Sequence, residues 1–147
     1  MQNYLAALII IPVITWYSMF GVLDRNYKLA QQDIENTVYT YTQIAAKKGV
    51  IYKSVFDEMC SKLDKYGEYE VYLKAERFEE SAEVIKLEGW SIIDADLRNQ
   101  GYDLINITVV YTKRHPVSVL YEYSVFGTPN GKKYDFRLTA RACSYIQ

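Results

Sequence analysis

The chain has 147 residues, 17 basic and 18 acidic side chains and a net charge of −1, enough length for one domain and an appendage. That balance excludes the clustered excess of Lys and Arg that nucleic-acid phosphates require, and the basic pairs Lys47-Lys48, Lys113-Arg114 and Lys132-Lys133 read as solvated faces. Fifteen tyrosines stand out, a residue whose apolar ring and polar tip suit sheet faces and subunit contacts.

No charged side chain precedes Asp24. Within this start, Tyr4 to Val22 reads YLAALIIIPVITWYSMFGV, and about 20 helical residues cover the roughly 30 Å of a bilayer's hydrocarbon. Lipid offers backbone groups no partners, so the segment is expected to be helical, with a kink at Pro12. Met1-Gln2-Asn3 carries no basic residue and no small-x-small site lies between Ser18 and Asn26, so a retained span is expected over a cleaved signal. Arg25 and Lys28 follow the span, which by the positive-inside rule leans towards a cytoplasmic head.

Asp24 to Tyr66 contains no proline and continues as an amphipathic helix. Ile34, Val38, Tyr41 and Ala45 form one apolar stripe; Tyr52, Val55, Met59 and Leu63 resume it after a kink or break near Gly49. Gln32, Asp33, Glu35, Asn36, Lys47, Lys48, Asp57, Glu58 and Lys62 occupy the other side, and Gly67 is the expected C-cap.

The second half reads as strands. Residues 69–75 alternate Tyr69, Val71, Leu73 and Ala75 against polar positions, and 103–113 alternate Ile105, Ile107, Val109 and Tyr111. Alternation in 117–126 predicts a third strand after His115-Pro116, and 127–133 carries turn signals. A last strand, 134–142, sets Phe136, Leu138, Ala140 and Ala142 on one face. The last three strands predict an antiparallel meander, while Glu79–Glu88 reads equally as helix or strand and Asp94–Arg98 as a helical turn. The expected fold is therefore α+β: 1–23 as a transmembrane or filament-core helix, and 24–147 as an amphipathic helix packed on a small antiparallel sheet.

No Gly-rich phosphate loop, metal spacing or paired carboxylate motif appears, so neither a cofactor nor catalysis is expected. His115 reads as a solvent-exposed loop residue without a nucleophile or orienting acid, and Glu79-Glu80 as surface. Asn106-Ile107-Thr108 matches a glycosylation sequon inside a strand. Cys60 and Cys143 admit two states: buried free thiols, or a disulfide pinning helix to sheet in an oxidising compartment.

The uncharged run Tyr4–Val22, its interior Pro12, the amphipathic 24–66 and the strands after it resemble the type IV pilin-like superfamily, in particular Tad-type and conjugation- or secretion-associated pilin-like proteins. The resemblance implies a structural subunit that assembles with itself through its apolar helix, resides in the membrane beforehand, meets secretion or pilus machinery and carries an extracytoplasmic head. Leu5, Leu8, Ile9, Ile10, Pro12, Val13, Ile14, Trp16 and Phe20 would form the assembly and membrane helix, with Ala6, Ala7, Ser18 and Gly21 allowing close approach. Such pilins typically carry a basic leader ending in Gly and a Glu at the fifth mature position. Met1-Gln2-Asn3 and Leu5 stand there instead, so only the assembly mode carries over. A single-span accessory subunit whose head binds a partner is the other reading.

The charge-free start sets a solubility test. Full-length chain is expected to sediment unless detergent is present, and a chain starting near Asn26 to stay in the supernatant on ultracentrifugation; aqueous monomeric full-length protein would contradict the reading.

Overall fold

The computed structural model describes residues 2–78, 84–122 and 135–147, with the side chains of 2, 3, 5, 84 and 120 excepted. One helix, α1 (Gln2–Lys48), runs unbroken through Pro12 and out of the apolar segment into the head. Gly49, at φ 71°, ends it: its N–H donates to the Ala45 carbonyl at 2.8 Å, and a Cβ at this position would lie 2.8 Å from the Cβ of Arg98. The chain then reverses into α2 (Lys53–Leu63) and a single 3-10 turn, Asp64–Tyr66, which Gly67 terminates at φ 114°.

Four strands follow: β1 (Tyr69–Phe78), β2 (Val84–Glu88), β3 (Leu104–Arg114) and β4 (Arg137–Tyr145). They form one antiparallel sheet in the order β2-β1-β3-β4. Leu73 is opposite Ile107, which is opposite Ala142, and Val71, Val109 and Ala140 align likewise, so the expected apolar faces coincide on one side of the sheet.

That side is covered by the helices. Ile34, Val38, Tyr41 and Ala45 of α1 are buried against Leu73, Ala75, Ile105, Ile107, Val109, Tyr111, Leu138, Ala140 and Ala142. Each fully buried large aliphatic contributes about 1.5–3 kcal/mol. Alanine at two of the three inward positions of β4, Ala140 and Ala142, leaves room for α1, which lies closest to that strand. From α2 come Phe56, Met59 and Leu63, and the buried Tyr111 hydroxyl donates to the Leu63 carbonyl at 2.7 Å. The stripe expected at Tyr52, Val55, Met59 and Leu63 is corrected at its first member. Tyr52 is the exposed residue preceding α2, because the helix restarts only at Lys53, and Phe56 takes the inward position.

Two further expectations are corrected. Residues 117–122 of the predicted third strand are a helix, α3 (Val117–Glu122), so β3 pairs directly with β4 and the meander is replaced. Pro116 fixes the backbone for a helical first turn, and the Ser118 N–H donates to the His115 carbonyl at 2.9 Å. Residues 123–126, the turn 127–133, Tyr134 and Glu79-Glu80 lie outside the described residues. Second, the segment 90–101 acts as a cap more than as a helical turn. Arg98 Nη2 donates to the last-turn carbonyl of Lys47 at 2.8 Å, and Asp94 Oδ1 accepts the Lys53 N–H at 2.9 Å, so both helix ends at the reversal are satisfied from there.

The core makes a specific demand on β3. Ile107→Ala is expected to destabilise the head by about 2–5 kcal/mol, measured by urea unfolding of a chain starting at Asn26. Tyr39→Ala, at a position 56% exposed on α1, is expected to change stability by less than about 0.5 kcal/mol.

Candidate functional site

The first five turns of α1 stand clear of the head. Leu8, Ile9, Ile10, Val13 and Ile14 are 49–75% exposed, Pro12 is exposed, Trp16 is 37% exposed, and the Leu5 side chain lies outside the described residues. The most apolar stretch of the helix has a mean hydropathy of 2.0 with none of it buried in the fold. Pro12 withholds the donor that the Leu8 carbonyl would otherwise receive, and the Thr15 hydroxyl bonds back to the Ile11 carbonyl at 2.8 Å. The segment suits hydrocarbon: apart from the Leu8 carbonyl opposite Pro12 its backbone pairs within the helix, no side chain is charged, and the Thr15 hydroxyl is bonded to its own helix.

Helical geometry separates two faces of this segment. At 100° per residue, Ala7, Ile11, Ile14, Ser18 and Gly21 fall within about 80° of one another and roughly 150° from Phe20 and Tyr27. Ala7, Ser18 and Gly21 thus point away from the head, whereas Ala6 falls about 40° from Phe20 on the head's side, and a Cβ at Gly21 would meet nothing within 4 Å. A second helix can approach there without meeting the head.

Phe20, half-buried, is where the head begins to touch the apolar helix. Its ring centroid is 4.8 Å from that of Tyr121 on α3, Tyr121 is 5.0 Å from Phe136, Phe136 is 5.7 Å from Tyr27, and Tyr27 is 5.1 Å from His115. Phe20 and Tyr27 are two helical turns apart on one face, so the aromatic cluster closes on α1 at both ends. Its frame is polar. The His115 N–H donates to the Phe136 carbonyl at 2.8 Å, the Phe136 N–H donates to Ser118 Oγ at 3.0 Å, and Arg114 is ion-paired with Glu122 and Asp135.

The cluster was not legible in advance, since its members lie on α1, on α3, and at His115 and Phe136 just before α3 and β4. The available signal was Pro116, a helix-start residue outweighed by the alternation after it. His115 is also corrected: it is half-buried against Tyr27, with Nδ1 accepting the Val117 N–H at 3.3 Å, and is not a free loop residue.

Above the cluster, α1 is fastened to the outer edge of β4. The Gln31 side chain donates to the Thr139 carbonyl at 2.5 Å and accepts the Thr139 N–H at 3.2 Å, as a neighbouring strand would. Asp33 receives Lys65 and the Tyr66 hydroxyl, and these hydrogen bonds hold its carboxyl below the usual range.

The two cysteines are not brought together. Cys60 is half-buried on α2, whereas Cys143 is exposed on β4 opposite Asn106, on the sheet face away from the helices; both are free thiols. Of the two states that the sequence admits, the free thiols are found, but Cys143 is exposed and not buried: alternation along β4 turns Ala142 inward and its neighbour Cys143 outward. Asn106 is 5% exposed and within hydrogen-bond reach of Arg141, so the sequon is closed in the folded chain. Among the described residues no group of His, Cys, Asp and Glu is arranged to hold a metal ion.

Comparison with protein-family models, curated proteins and solved structures finds no match. The class of protein is defined by architecture alone: a long apolar N-terminal helix packed through its second half on a four-stranded antiparallel sheet, which is a pilin-like architecture.

His115 gives the cluster a pH signature. Burial lowers its pKa from the ordinary value of 6.5, so the unfolded chain takes up the proton first as the solution is acidified. The neutral ring's contribution is complete above the unfolded value and is lost as pH falls through the folded one. Stability in urea is expected to decline as pH falls below about 7, and His115→Phe to flatten that part of the profile.

Proposed function

We propose that this chain is a structural subunit of a pilus-like filament, held in the membrane by the apolar half of α1 before assembly and packed into the filament core through it afterwards. One observation carries the reading. The apolar segment is continuous with the helix that organises the head, yet among the described residues nothing covers its turns before Phe20. Left in water, that surface costs about 25 cal/mol for each Å² of apolar area. Lipid relieves the cost for a single copy, and a bundle of identical helices relieves it once the helix leaves lipid. A repeated head-to-tail contact between such helices has no closed stoichiometry, so it grows into a filament.

The placement of Ala7, Ser18 and Gly21 away from Phe20 supports the same reading, because neighbouring helices can then close on one another while the heads remain outside. In this role the head is extracytoplasmic, the partners are further copies and the secretion or pilus machinery, and no residue is assigned to catalysis.

A charge at the centre of the segment tests the proposal. Ile10→Asp is expected to cost a few kcal/mol per subunit, about 2.5–3.5 on insertion scales, and to abolish filaments seen by electron microscopy. The variant must first be found in the membrane fraction, so that a failure of insertion is separated from a failure of assembly. Normal filaments from inserted Ile10→Asp would reduce the helix to an anchor, and an absence of filaments from the unaltered chain would favour a single-span accessory subunit.

A further inference from the structure

We propose that the head does not swing freely on its span but is seated on the bilayer surface through α3, with Val119 entering the layer where headgroups meet acyl chains. This rests on the reading of α1 as a membrane span. From Tyr4 to Val22 the helix rises roughly 28 Å, close to the ~30 Å thickness of the hydrocarbon. Phe20 therefore lies about 3 Å inside the end of the span. Tyr121 is in ring contact with Phe20, with 4.8 Å between centroids, so α3 is held at the membrane boundary by a contact within the chain.

The helix is not free to lift away. Val117 and Ser118 are buried beneath it, Ser118 Oγ accepts the Phe136 N–H, and the Arg114–Glu122 ion pair fastens its far end to β3. Among the described side chains of α3 the one turned outward is Val119, 48% exposed and apolar. The neighbouring cluster supplies Tyr27, Tyr121 and His115, rings with polar edges of the kind that suits the headgroup layer. The charges at this level are largely matched: Arg114 with Glu122 and Asp135, Arg137 with Asp135, and Lys28 with Asp24 at 2.7 Å. Seating the head thus desolvates ion pairs in preference to isolated charges. Two contacts on one helix face, at Phe20 and Tyr27, set the angle between span and head, so the bilayer that covers the span also meets α3.

The test uses the full chain in phosphatidylcholine nanodiscs at one copy per disc. An environment-sensitive fluorescent amino acid is placed at Ile10, Val119 or Lys47, one position per sample, and quenched by lipids brominated on the acyl chain. Ile10 reports insertion of the span, and Lys47, about 40 Å along the helix from Phe20, reports bulk water. Strong quenching at Ile10, clear quenching with a blue shift at Val119, and neither at Lys47 are expected. Quenching at Ile10 with Val119 behaving like Lys47 overturns the seating and leaves the span intact. No quenching at Ile10 overturns the span and the seating with it.

Discussion

An apolar helix that is continuous with a folded head imposes one requirement on everything attached to it: its sides must be covered by something other than its own chain. In a soluble α+β protein the sheet would extend along the whole helix, or the helix would stop where the sheet stops. Here the sheet covers α1 from about Tyr27 to Lys48, and the preceding turns carry Leu8, Ile9, Ile10 and Ile14 at half exposure or more. The boundary between the two regimes is also chemical, since the first charged residue, Asp24, lies one turn past Phe20.

The head is built to hold that helix firmly. Its apolar stripe at Ile34, Val38, Tyr41 and Ala45 forms part of the only large core among the described residues, so the sheet cannot lose α1 and remain folded. Polar fastenings sit where the core ends. Gln31 occupies the β4 edge at Thr139, Asp33 gathers Lys65 and Tyr66, and Arg98 closes the C-terminus of the helix. Covering β4 with α1 also protects a strand edge that would otherwise offer its backbone groups to another chain.

This construction couples the environment of the apolar segment to the orientation of the head. The aromatic cluster joins residues on both sides of the boundary, Phe20 below and Tyr27 above, to α3 and the start of β4. Whatever surrounds the span, lipid or neighbouring helices, therefore meets a head whose angle is set by packing and not by a loose linker. Small residues on the opposite side of the helix leave that surroundings free to approach.

The residues alone determined the features that depend on short-range periodicity. A charge-free run long enough for a bilayer, a stripe every three to four residues before Gly49, and alternation in 69–75, 103–113 and 134–142 each report a face that must be buried, and burial follows from local geometry. The tertiary structure decided what depends on distant partners. Alternation in 117–122 matched a strand, but Pro116 and the anchoring of Ser118 to Phe136 made it a helix, because a hydrogen bond to the start of β4 outweighs a weak local preference. The ambiguous segment around 90–101 acquired its form from the two helix ends it caps. Cys60 and Cys143 were separated by which side of β4 faces the core, a property of sheet pairing that sequence spacing does not encode.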